Sequence, residues 1–304
     1  MLLIGVLVGC GLAWGSTQSL GKVATSTGHP PLGLLFWQFV IGLGLMGAAM
    51  VVRRTPFVLT RRSLAFGVVV ALVGSVLPGI TFWTSVARLP AGVMSLIIAT
   101  VPMMAFGLAL LLGQDRLTLG RLGGVLAGLA GVLLIALPEA SLPEAGQAAF
   151  LPLALLGPFL YACETNFVQR FGMAGMDPFQ AMALVSGIGA LVALPLALGS
   201  GQWVDPVGAW GVAEGAFVAG SVTHVVTYAA FVWLAANAGS TFASQCSYVV
   251  TASGLVWAAA LLGERVPPTV GLALLCLLAG LALVRPREAG HGGGEGGARG
   301  HGVS

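Results

Sequence analysis

Apolar runs of about 20 residues, each ended by a short cluster of Gly, Pro or charged residues, follow one another along nearly the whole chain, and that length is what a helix needs to cross a hydrocarbon core of roughly 30 Å. The pattern predicts spans at 2–23, 31–52, 63–87, 91–112, 119–137, 148–170, 178–199, 208–235, 239–262 and 267–284. The fold class is thus an all-α polytopic membrane protein with ten transmembrane helices. Pro30 and Pro31 open the second span, where a missing N–H costs least. Pro78, Pro102, Pro158 and Pro195 lie inside spans and are expected to kink or unwind them, leaving carbonyls that must face protein or water.

The pattern also repeats. Leu111-Leu112-Gly113-Gln114-Asp115-Arg116 returns as Leu261-Leu262-Gly263-Glu264-Arg265, and Gly131 pairs with Gly280 at the same offset of 149. Gly74-Ser75-Val76 with Thr81-Phe82 returns as Gly220-Ser221-Val222 with Thr227-Tyr228, at an offset of 146. Two such echoes predict a duplicated half: 1–137, a linker at 138–147, and 148–284. Five spans per half is an odd number, so the second copy must cross the membrane in the opposite sense. The resulting pair of inverted five-helix repeats is an architecture of secondary transporters with a midplane site between the halves.

Composition agrees and adds orientation. The chain is 57% hydrophobic and 8% charged, with mean hydropathy +0.98, which excludes a soluble domain. With the N-terminus cytoplasmic, the inside segments hold ten basic residues, among them Arg53, Arg61, Arg116, Arg170 and Arg285, against three outside, Lys22, Arg88 and Arg265. Both termini are therefore expected in the cytoplasm. Residues 285–304 read as a disordered Gly-rich tail whose His291 and His301 are solvated residues. Cys10, Cys163, Cys246 and Cys276 sit far apart in apolar runs, so neither a disulfide scaffold nor a metal site is expected. Gly120, Gly124 and Gly128 have the spacing for close helix contact, and Trp203 and Trp210 read as interface anchors.

Trp14-Gly15-Ser16 with Lys22 at the end of the first span, Leu89-Pro90-Ala91-Gly92 before the fourth, and the turns at Asp115-Arg116 and Glu264-Arg265 stand in an order that resembles the drug/metabolite transporter superfamily, in its EamA-type branch of two five-helix repeats. The resemblance covers about residues 1 to 285. It implies movement of small organic solutes, usually outward, through a central cavity, with the fifth and tenth spans bracing the outside. One departure is Gln38, in a region of the second span where the family often carries Arg; an amide keeps hydrogen bonding and loses charge.

Within the spans, few residues carry chemistry. Glu164 is the one acid well inside a span, with Tyr161 beside it, and His224 lies near the middle of the eighth span in a stripe with Ser221, Thr227 and Tyr228. Counted from the starts of their spans, both lie at roughly 24 Å depth, so they can meet as a protonatable pair, or Glu164 can neutralise a substrate ammonium. The bland alternatives are a histidine bonded to a neighbouring hydroxyl and a glutamate reaching the interface beside Arg170. Ser240, Ser244, Ser247 and Thr251, with Gln245 and Tyr248 beside them, form either a substrate wall or helix glue. Trp14, Gln18, Gln38, Phe82 and Trp83 add aromatic and amide surface for a flat solute, against a packing role for the same rings.

The combined expectation is a secondary active transporter that exports small organic solutes (amino acids, metabolites or drugs) by alternating access, with protons as the candidate coupling ion. The alternative is a non-transporting membrane scaffold or receptor of the same fold. No H-E-x-x-H, P-loop or G-x-S-x-G motif is present, so no enzyme and no cofactor are expected. Partners are a small-molecule substrate and the lipid bilayer, not nucleic acid, and the location is a bacterial inner (plasma) membrane.

Overall fold

Helix α1 (Leu2–Ala24) and helix α2 (Pro31–Arg53) follow the first two apolar runs, and Pro31 at the first position of α2 gives up only an N–H that a helix leaves unpaired. The computed structural model describes residues 1–57, 59–113, 118–136, 146–238, 246–265 and 267–283. The described remainder is α3 (Arg61–Ala71), α4 (Leu77–Val86), α5 (Ala91–Ile98), α6 (Val101–Leu111), α7 (Leu119–Ala136), α8 (Leu151–Phe171), α9 (Pro178–Gly199), α10 (Val212–Ala238), α11 (Cys246–Leu262) and α12 (Pro268–Leu283). Among the described residues there is no strand. Six of the described stretches are long and apolar enough to cross a membrane (2–24, 31–53, 61–86, 91–111, 147–171 and 178–199), and shorter apolar helices stand at 122–134, 249–262 and 268–280. The Asp115-Arg116 turn, the linker at 138–145 and the tail from 284 lie outside the described residues.

Helix ends follow local sequence rules. Thr60 and Ser63 form a capping box on α3, and Asp177 and Gln180 form another on α9. The end of α9 closes with Gly201 at φ +69° and Gln202 N–H bonded to Ala197 O at 2.8 Å, a turn that only glycine enters without strain.

The four internal prolines act differently. Before Pro78 the α3–α4 segment widens into a π-helical turn, Leu72–Val76, because proline supplies no N–H to the preceding turn. Before Pro102 the fourth span breaks at Ala99–Thr100 into α5 and α6. Pro158 and Pro195 remain inside continuous helices, so the expected interruption is absent there; Pro158 is fully buried against neighbouring helices, which support the local geometry.

Tertiary contacts join helices far apart in the chain. Trp14 meets His224 and Leu20 meets Gly220, so α1 and α10 are antiparallel, whereas Gly11 meets Val249 and Gly15 meets Ser253, so α1 and α11 run parallel. Helix α2 packs antiparallel on α9 through Gly42 against Ser186 and Gly189 against Phe39. Helix α12 packs on α7 where Gly280 faces Gly124 O and Gly128 N; of the three spaced glycines, Gly120 has open space beside it. These contacts form where small residues let backbones approach, the driving force available when lipid is as apolar as the side chains.

One face of the bundle is joined by polar contacts. Lys22 Nζ donates to Ala87 O at 3.2 Å, Gln147 Nε2 to Arg88 O at 3.1 Å and Trp37 Nε1 to Val204 O at 2.9 Å. His29 Nε2 pairs with Glu214 Oε1 at 2.5 Å. The Glu264 carboxylate accepts from Ala91 N at 2.7 Å and Gly92 N at 2.9 Å, capping α5 from a distant part of the chain because Pro90 offers no side-chain cap. At the other face Gln180 Nε2 donates to Pro56 O at 2.7 Å and Arg53 lies over the Phe179 ring.

Two stability outcomes follow. A Cβ on Gly15 would stand 2.9 Å from both Gly254 N and Val250 O, whereas Gly44 has no heavy atom within 4 Å. Gly15→Val is expected to destabilise by about 1–3 kcal/mol and Gly44→Val to have little effect, as read from thermal unfolding in detergent. Glu264→Ala leaves two N–H donors of α5 unpaired and is expected to destabilise by about 1–3 kcal/mol, with Glu264→Gln recovering part of the loss in the same assay.

Candidate functional site

The broken helices surround a cavity of about 450 Å³, a size suited to a drug-sized molecule. Both proline-associated interruptions form part of its wall, through Gly74 and Ser75 of the π turn and through Ala99, Val101 and Pro102 at the α5–α6 break. Irregular backbone is tolerated at membrane depth where it borders such a space. The cavity reaches Met173 and Pro178 at the α8–α9 turn. Towards the opposite face it ends under Gly21, Trp83 and Phe217, and no residue of the loops at 25–30, 87–90 or 200–211 lines it. Trp83 and Phe217 close that end with ring centroids 5.7 Å apart, Trp83 being buried.

Glu164 projects from α8 into this space. Gly74 faces its carboxylate so closely that any side chain at 74 would collide with it. Tyr161 and Tyr228 are near enough for the charge of Glu164 to act on both phenols. Arg170, one helical stretch further on, lies over the Phe171 ring and makes no ion pair with Glu164. The carboxylate therefore belongs to the cavity and not to the interface.

His224 lines the same cavity from α10. Its Nδ1 accepts from Trp14 Nε1 at 3.2 Å, and the Trp14 ring also meets Tyr228 and Phe231 edge-on at 6.3 and 5.8 Å. No ion pair joins His224 to Glu164, so the direct pairing permitted by their similar depths is not formed. Of the polar stripe on α10, Ser221, His224 and Tyr228 line the cavity, whereas Thr227 is buried and its carbonyl faces Cys10 of α1.

Among the other expected site residues, Gln18, Gln38 and Trp83 line the cavity, and Gln38 Oε1 accepts from Trp83 Nε1 at 2.9 Å. Ser247 and Thr251 of α11 line it as well. Ser240, Ser244 and Gln245 lie outside the described residues, as does the side chain of Tyr248. Phe217, Phe231, Gly74 and Ser221 join the wall without having been singled out as site residues. Gly74 and Ser221 carried a signal in the sequence, since both belong to the echo at offset 146, but nothing in the periodicity marks Phe217 or Phe231 as different from packing rings.

Among the described residues the titratable groups on the wall are Tyr161, Glu164, His224, Tyr228 and Cys246, with no Asp, Lys or Arg. Such a site can hold a proton on the carboxylate or match a cation against it, with aromatic faces around it. Among the described residues no cluster of His, Cys, Asp and Glu could hold a metal ion.

Comparison with known proteins gives the same direction. A solved crystal structure superposes with a TM-score of 0.64 at 16% identity, covering 93% of this chain and 97% of that one, a likeness of fold alone. No curated protein matches. The model of the EamA-like transporter family matches twice, over residues 1–137 and 149–285. The chain belongs to the EamA-like transporter family, within the drug/metabolite transporter superfamily, and is an integral membrane transporter.

Proposed function

We propose that this protein is a secondary carrier of ten spans in two inverted repeats, 1–137 and 148–284, that exports small organic solutes by exposing the Glu164 cavity to one side of the membrane and then to the other. The observation that carries the reading is a membrane-depth carboxylate in a cavity that reaches one face and is roofed at the other by Trp83 and Phe217. The two family matches support the duplication. So does the packing, in which α1 with α10 in one place and α4 with α8 in another are corresponding pairs of the two halves, while α2 with α9 and α7 with α12 each pair a helix with its own counterpart.

Alternating access then means parting the contacts among the loops at one face while those at the other close. With the basic residues assigned to the cytoplasm, both termini lie inside, and the cavity as it stands faces inward, ready to load a solute for export across a bacterial inner membrane. Glu164 supplies the coupling: it releases its proton when solute enters and takes one up after solute leaves. The groups facing it are Tyr161 and Tyr228, with His224 on the same wall. None of these is a fixed cation that would hold the carboxylate permanently ionised.

Efflux of a panel of radiolabelled amino acids and cationic amines from proteoliposomes, with and without an imposed proton gradient, tests the reading. Saturable, gradient-dependent flux with counterflow is expected for at least one member, and a scaffold shows neither. Glu164→Gln is expected to lower gradient-driven flux at least about tenfold and flatten its pH profile; an unchanged profile removes Glu164 from coupling. The inverted arrangement is tested by single cysteines at 115 and 264 in a background lacking Cys10, Cys163, Cys246 and Cys276. A membrane-impermeant thiol reagent should reach position 264 from outside and position 115 only from inside.

A further inference from the structure

We propose that the cavity selects monocationic amines that carry a flat apolar body and a second N–H or O–H donor, and that it rejects carboxylates, including zwitterionic amino acids. The proposal rests on the carrier reading for its biological meaning and on the cavity wall for its chemistry.

Charge gives the first half. Among the described residues the wall offers one carboxylate, Glu164, and no Lys or Arg. An ammonium group can replace the water around that carboxylate with a charge-assisted bond, whereas a substrate carboxylate would enter a low-dielectric space beside a like charge with no cation to receive it. On the second span the wall carries the neutral Gln38, and its amide oxygen is already occupied by the Trp83 indole N–H.

Unpartnered polar atoms give the second half. Gln18 is 6% exposed and Ser221 2%, both line the cavity, and neither Gln18 Oε1 nor Ser221 Oγ has a hydrogen-bond partner. They sit on α1 and α10 about one helical turn beyond the Trp14–His224 contact, towards the roof. A buried acceptor without a donor leaves its desolvation uncompensated, and a ligand N–H or O–H reaching Gln18 Oε1 removes that penalty. The polar groups waiting for a partner are therefore acceptor-rich at both ends: a carboxylate below and an amide oxygen above. Between them stand aromatic faces, with Trp14 and Trp83 suited to a flat ring.

Isothermal titration of the purified full chain with four phenols tests this without requiring transport: tyramine, its neutral alcohol analogue, its carboxylate analogue 3-(4-hydroxyphenyl)propionate, and tyrosine. Phenethylamine, which lacks the second donor, is the fifth ligand. Tyramine is expected to bind at least about tenfold more tightly than the alcohol, the carboxylate or tyrosine, a difference of about 1.4 kcal/mol, and more tightly than phenethylamine. Glu164→Gln should abolish the preference for amine over alcohol while Glu164→Asp keeps it, and Gln18→Leu should remove the advantage of tyramine over phenethylamine. Binding of the carboxylate or tyrosine as tightly as tyramine overturns the proposal, as does an unchanged ligand order in Glu164→Gln or binding of none of the five. If tyramine binds in the expected order and proteoliposomes show no counterflow of it, the specificity stands and the carrier reading falls.

Discussion

An ionised carboxylate at membrane depth must be solvated, and among the described residues of the wall no fixed cation does it. Transfer of a lone charge out of water costs several kcal/mol even after relaxation, so a carboxylate such as Glu164 is kept at that depth only in a space that water, a proton or a ligand can enter. The cavity satisfies that requirement. Its wall brings Tyr161 and Tyr228 within reach of the charge and clears the approach with a glycine at 74, where any larger residue would occupy the carboxylate's own position. Among the described residues of the wall there is no Arg or Lys, so no permanent counter-ion takes up the space beside the carboxylate.

The space exists because helices are broken around it and packed tightly elsewhere. The π turn at Leu72–Val76 and the interruption at Ala99–Thr100 both face the cavity, where freed backbone groups can be solvated. Away from it, Gly11 and Gly15 of α1 bring that helix against α11, and Gly280 brings α12 against α7. Close approach at these small residues gives tightly packed pairs of helices. Glu264 adds a polar tie to this packing, since it holds the start of α5 from the loop that follows α11.

Much of this was legible in the order of residues. Apolar length located the helices, and Pro78 and Pro102 marked the two places where the backbone departs from α-helix. Pro158 and Pro195 carried the same mark without the same result, because a tightly packed helix can accommodate a proline and sequence does not show how well a site is packed. Counting residues placed Glu164 and His224 at similar depth, and both do line one cavity. It did not show that Trp14, 210 residues from His224, takes the position of histidine's partner, because helical periodicity records which face a residue occupies and not which helix lies opposite. Glu264 was legible as the mark of a repeat and illegible as a helix cap, its partners being 172 and 173 residues away.

The Trp14–His224 bond also separates the roles of the two ionisable groups. An indole nitrogen only donates, so Nδ1 of His224 is an acceptor and the ring is neutral with its proton on Nε2. Placing a second proton on Nδ1 would break the bond and leave the indole N–H facing a cationic ring. The histidine is thus engaged in joining α1 to α10, the first helix of one half to the second half, while Glu164 has no such engagement. A group already bonded to its neighbour transmits the position of a helix; a group without a partner answers to whatever enters the cavity. On that division Glu164 is the group open to the cavity, and Trp14 with His224 ties α1 to α10.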